Sequence, residues 1–148
     1  MATKRTTTKD GFSAAEKAAM KERARELKAE ARAGDRRAKG TEAVLEAVRE
    51  MPKADRVLAE RIHEIVGEVA PHLFPKTWYG MPAWATDEGK VVCFFKAAAK
   101  FDGRFAVLGF EDAANLDDGA MWPTVFAIIE MNDAVDKKVR ALVKRATK

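Results

Sequence analysis

The sequence predicts an α+β fold: an antiparallel sheet of about four or more strands flanked by helices, with a helical arm at its N-terminus. Three observations carry that expectation. Apolar residues recur at helical spacing over residues 41–70, short period-two runs follow, and helical spacing returns after Asn132. The runs are joined by short connections, which favours antiparallel pairing because parallel strands need long crossovers. Residues 1–40 read as a basic helical arm and linker, and residues 41–148 as one α+β domain long enough to bury a core.

The arm comes first. "SAAEKAAMKERARELKAEARAG" opens with Ser13 and Glu16 at capping-box spacing and continues in strong helix formers. Its only large apolar residues are Met20 and Leu27, so it reads as a surface helix. Gly34 reads as its stop and "GDRRAKG" as a linker. Thr41 then caps "EAVLEAVREM", with Val44, Leu45, Val48 and Met51 on one side. Pro52 opens the next helix, Lys53 to Ala70, where Leu58, Ile62, Ile65 and Val69 form a continuous face. Pro71 ends it.

Strand-like runs follow around "KTWY", "KVVCFFK", "RFAVLGF" and "TVFAIIE", separated by the turn-rich "GMPAWATDEG", "AAAKFDG" and "EDAANLDDGAMWP". Asn132 caps a last helix carrying Val135, Val139 and Leu142. In "VVCFF", strict alternation sends Val91, Cys93 and Phe95 one way and Val92 and Phe94 the other. Both faces of the sheet are therefore apolar, although a sheet with helices on one side needs only one apolar face. The second face is expected to be covered by the arm, by a twin subunit in a homodimer, or by a ligand.

Composition narrows the setting. The single cysteine, Cys93, allows no intramolecular disulfide and suits a reducing cytoplasm. "MATKRTTTKDGF" has no apolar run to make a secretory signal, and "VVCFF" is far short of the ~20 residues of a membrane helix. A cytoplasmic protein without membrane contact is expected. The net charge of +4 divides into +6 for residues 1–40 and −2 for residues 41–148. A basic arm can neutralise nucleic-acid phosphates, but such charge runs are usually solvated extensions.

"YGMPAW" after a helix ending in "APHL", followed by "GKVVCFF", "AVLGF" and a closing helix, resembles the YdhG-like family, described as frataxin-like intracellular iron chaperones. The resemblance covers Thr41 to the C-terminus. The arm, "KTWYGMPAW" and "ANLDDGAMWP" look like an actinobacterial-type subset of that family. What the resemblance implies is a curved antiparallel sheet flanked by helices and a role in handling iron.

Iron would be held by carboxylate and imidazole ligands. Glu60, Glu64 and Glu68 form an i, i+4, i+8 line with His63 beside it, and Glu42, Glu46 and Glu50 repeat the spacing on the preceding helix. The plainer reading is the wet faces of amphipathic helices. Cys93 lies between apolar neighbours, which disfavours its thiolate. Closely spaced zinc ligands, a Gly-rich phosphate loop and a GxSxG-type elbow are all missing from the sequence, so no enzyme is expected.

"KTWYGMPAW" raises the remaining question. Trp78, Tyr79, Met81, Trp84 and Trp122 fall near strand ends, and rings with a polar atom suit sites wet at one end and apolar at the other. They make a structural corner, an aromatic-walled small-molecule pocket, or a subunit interface. The pocket reading places the turn and Trp122 on one cleft, with Trp84 as its most exposed ring. The expected function is a non-enzymatic intracellular binding protein of the YdhG-like type, an iron or small-ligand chaperone. The alternatives are a homo-oligomeric interaction module and a nucleic-acid-associated protein acting through its arm.

Overall fold

The computed structural model describes Ser13 to Lys148. Its elements are α1 (Ala14–Arg49), α2 (Lys53–Val69), β1 (Phe74–Trp78), β2 (Met81–Ala85), β3 (Val91–Lys96), β4 (Ala106–Phe110), β5 (Val125–Ile128) and α3 (Asp133–Ala146). The strands form one antiparallel meander in the order β1-β2-β3-β4-β5, which gives the α+β class expected. The chain divides into two compact units between Asp35 and Arg36. No helix among the described residues is long and apolar enough to cross a membrane.

α1 begins at the capping box. The Glu16 amide donates to Ser13 Oγ at 3.1 Å, and the Ser13 hydroxyl donates to the Glu16 carboxylate at 3.0 Å. The expected stop at Gly34 and linker over 34–40 are corrected: the helix runs on to Arg49, and the helix assigned to a Thr41 cap is its last part. A glycine weakens a helix by only about 1 kcal/mol, and this stretch holds no proline. Propagating therefore costs less than nucleating again. Up to Asp35 the helix is polar, with Met20 and Leu27 half-exposed.

The second unit opens on the last turns of α1. The Arg36 and Arg37 guanidiniums stand 4.4 and 4.1 Å over the Phe74 ring, and Arg37 donates to the Leu73 carbonyl at 2.6 Å. Gly40 lets the helix lie against β1, since a Cβ there would collide with the Pro75 carbonyl. Val44 and Val48 are buried. α2 buries Leu58, Ile62 and Ile65 as its spacing predicts. Its first turn carries the buried Asp55, whose two oxygens accept the amides of Ala98 at 3.1 Å and Ala99 at 3.0 Å. That carboxylate ties α2 to the β3–β4 loop.

β2 is the strand missing from the sequence reading, which gave "MPAWA" to a turn. Tyr79 and Gly80, with φ of 51° and 76°, make a two-residue hairpin turn closed by the Trp78–Met81 pair. Positive φ at both positions is the hairpin geometry that matches strand twist. In such a hairpin the closing pair carries the hydrogen bonds and the next pair, Thr77–Pro82, does not. Pairing with β3 starts only at Ala83. Pro82 thus sits where its missing donor breaks no ladder, although proline ordinarily argues against an inner strand.

The register sorts the side chains. Trp84, Cys93, Phe95, Leu108 and Phe110 share one core with α2 and α3. Lys76, Ala83, Phe94, Gly109 and Val125 form one row across the opposite, outer face. Val92 departs from the alternation expected of it. Trp84 pairs with Cys93 but Ala85 pairs with Val91, so Val92 is an extra residue in a bulge and is buried in the same core as Cys93.

α3 is capped by Asn132, whose side chain accepts the Val135 amide at 2.9 Å. It buries Val139 and Val143, with Val135 and Leu142 at the margin. Arg61 binds Asp136 and Arg140 binds Glu68, joining α2 to α3.

Candidate functional site

The two tryptophans of "KTWYGMPAW" part company. A two-residue turn puts Trp78 on the outer face and Trp84 on the helix face. Trp84 is only 1% exposed. Its indole Nε1 donates to His63 Nδ1 at 3.2 Å, and the two rings stack at 6.1 Å. Trp84 is therefore a core anchor, and the expectation that it is the most exposed ring of a cleft is corrected. Met81 is also buried. Trp122 lines a groove of about 370 Å³ with Phe110, Leu116 and Asp117, apart from the hairpin residues. Two further grooves, about 530 Å³ between β5 and α3 and about 400 Å³ beside Gly80 and Lys100, include neither Trp78 nor Tyr79. A cleft with Trp84 as its most exposed ring does not form.

Trp78 and Tyr79 do meet, on the outer face. Their rings are 5.1 Å apart and edge-on, and Trp78 lies 5.3 Å from Phe94. Phe94 is held down by Gly109 on the neighbouring strand: a Cβ there would overlap the far edge of the Phe94 ring. The absence of a side chain lets that ring lie against the sheet. Tyr79 is 81% exposed. Phe94 is not among the site residues expected from sequence, yet an isolated glycine inside a strand pattern ("VLGF") is the signal of such a close approach.

Lysines border these rings. Lys76 and Lys96 are the only charged residues in the five strands, and the register puts both on the outer face. Lys100, from the β3–β4 loop, donates to the Gly80 carbonyl at 3.1 Å. Lys96 and Lys100 both stand over Phe101, at 5.4 and 5.7 Å. Among the described residues none of these three lysines has a carboxylate partner.

The helix carboxylates are arranged differently. Glu60 faces Arg56 at 3.7 Å, Glu64 faces Arg61 at 3.1 Å and Glu68 faces Arg140 at 2.6 Å. His63 spends Nδ1 on Trp84, and burial lowers its pKa against the opposing pull of Glu64. The structure does not bring Glu60, Glu64, Glu68 and His63 together as ligands. Among the described residues no group of three or more His, Cys, Asp or Glu is placed to hold a metal ion. A hydrogen bond from Arg61 holds Asp136 below the usual carboxylate range. Burial pushes the Cys93 thiol up to about 12, so no thiolate is available near neutrality. The rings and lysines of the outer face can stack on a flat ligand and neutralise an anion. No family model matches the chain, and no curated protein or solved structure matches it either.

Proposed function

We propose that the chain is a non-enzymatic binding protein of the YdhG-like type that takes its ligand on the outer face of the sheet, at the hairpin end. One observation carries this reading: Tyr79 holds a left-handed backbone while the residue is 81% exposed. That conformation costs an ordinary L-residue about 1 kcal/mol, and asparagine or glycine would fill the turn without it. An exposed ring gains nothing from burial to offset the strain. Strain kept at an exposed aromatic, beside Trp78 and Phe94, is the pattern of a contact surface. Native mass spectrometry of protein isolated from its own cells tests the reading. Non-protein mass retained by the wild type should be missing from a Trp78→Ala, Tyr79→Asn variant that still unfolds cooperatively. Equal retention by both, or none by either, overturns it.

A second reading, self-association, is favoured by the free edge of the sheet. Val125 in β5 is 60% exposed and Ile129, just past the strand, 81%. Lysine, proline and charge, the usual protections of an edge, are missing from that strand. Sedimentation of the wild type and of Ile129→Lys distinguishes it, because the variant stays monomeric only if the edge pairs.

A further inference from the structure

Resting on the reading of the outer face as the binding surface, we infer that its ligand is single-stranded nucleic acid, with bases stacked on Trp78, Tyr79 and Phe94 and phosphates neutralised by Lys76, Lys96 and Lys100.

Charge complementarity commits the face to a polyanion. The five strands hold two charged residues, both lysines, both on this face, and Lys100 joins them through the Gly80 carbonyl. Arg56, Arg61 and Arg140, by contrast, are each matched by a carboxylate of α2 or α3. Three arginines of α2 and α3 are thus neutralised, whereas the three lysines beside the rings have no carboxylate partner among the described residues.

The rings commit the polyanion to one with bases. Trp78 touches both Tyr79 and Phe94 at centroid distances of 5.1 and 5.3 Å, making a contiguous aromatic ledge about three rings wide. Phe94 lies over Gly109 and Tyr79 projects from the hairpin, so flat surfaces are offered at two heights. Stacking on such platforms requires unpaired bases, because a duplex keeps its base faces internal. The basic arm is a separate source of phosphate affinity, and a substitution that removes a ring without changing charge separates the two.

The test is fluorescence anisotropy of labelled dodecamers of U and of dT, with a duplex of equal length and with heparin, using the full chain. Both single strands should bind more tightly than the duplex, and the tighter of the two identifies RNA or DNA as the source. Tyr79→Asn suits the left-handed turn, keeps the charge and should weaken binding about 5- to 100-fold, while Tyr79→Phe should retain it. Changing Lys76, Lys96 and Lys100 together to glutamine should lower the slope of log affinity against log salt by about 2. Equal binding of duplex or heparin, or an affinity indifferent to Tyr79→Asn, assigns the binding to the arm and overturns the inference. Failure of both dodecamers to bind also overturns it. If a retained mass is nevertheless lost from the Trp78→Ala, Tyr79→Asn variant, the outer face stays a binding surface and only the ligand class falls.

Discussion

Replacing Asp55 by alanine removes the one charged side chain buried among the described residues. Both its oxygens are engaged, by the amides of Ala98 and Ala99 at 3.1 and 3.0 Å. Truncation leaves two donors facing a void. An unmet donor costs about 1–3 kcal/mol when water cannot reach it. Ala98 is half-buried and Ala99 exposed, so water replaces the second bond far better than the first. The expected loss is about 2–4 kcal/mol, below twice the single-donor maximum. Asp55→Asn can still accept one amide but presents its own NH2 group to the other, so it should lose about half as much. Urea unfolding followed by far-ultraviolet circular dichroism measures both. A loss under about 1 kcal/mol for alanine, or an asparagine variant as stable as wild type, refutes the view that this carboxylate staples α2 to the β3–β4 loop. The same loop carries Lys100, so the alanine variant should also bind oligonucleotides less tightly at a temperature where it remains folded.

Tyr79→Asn should raise stability by about 1 kcal/mol, read from the urea midpoint, because asparagine tolerates the left-handed backbone; an unchanged or lower midpoint contradicts strain at the hairpin. Burial lowers the His63 pKa, so the unfolded chain takes up a proton first as the pH drops below about 6.5. The stability tied to neutral His63 is complete above that value and is lost as pH falls through the lower folded pKa. Unfolding free energies measured from about pH 7 down to pH 5 should decline less in His63→Gln, and parallel declines would refute the link. Deleting residues 1–35 should leave a cooperative unfolding transition, whereas deleting 1–40 removes Arg36 and Arg37 from Phe74 and should lower the unfolding free energy by about 1–2 kcal/mol. Calorimetric scans showing identical melting of the two truncations would contradict that assignment.

Helical spacing revealed α2 and α3 well, because long amphipathic runs are read without knowing their partners. It failed at α1, where Gly34 and Gly40 look like punctuation but the surrounding helix formers outweigh them. Proline and glycine hid β2, since whether Pro82 breaks a ladder depends on which edge of the strand its nitrogen faces. The binding surface suffered most from this. Trp78 and Tyr79 were visible as unusual residues, but the face each ring occupies follows from the turn length. A longer turn keeps Trp84 as a surface candidate; the observed two-residue turn sends it into the core beside His63. Lys76 joins Phe94 and Lys96 only through register, which is a pairing between strands and is written in no single strand.

The opposite placement of Trp78 and Trp84 gives the protein two optical reporters of its own. Trp84, sealed in the core against His63, should emit at shorter wavelength and resist a water-borne quencher. Trp78, half-buried on the outer face, should be quenched readily and respond when something covers the ledge. A Trp122→Phe background leaves these two signals alone. Occupancy of the face and integrity of the interior can then be followed at once, without a label, in a single titration.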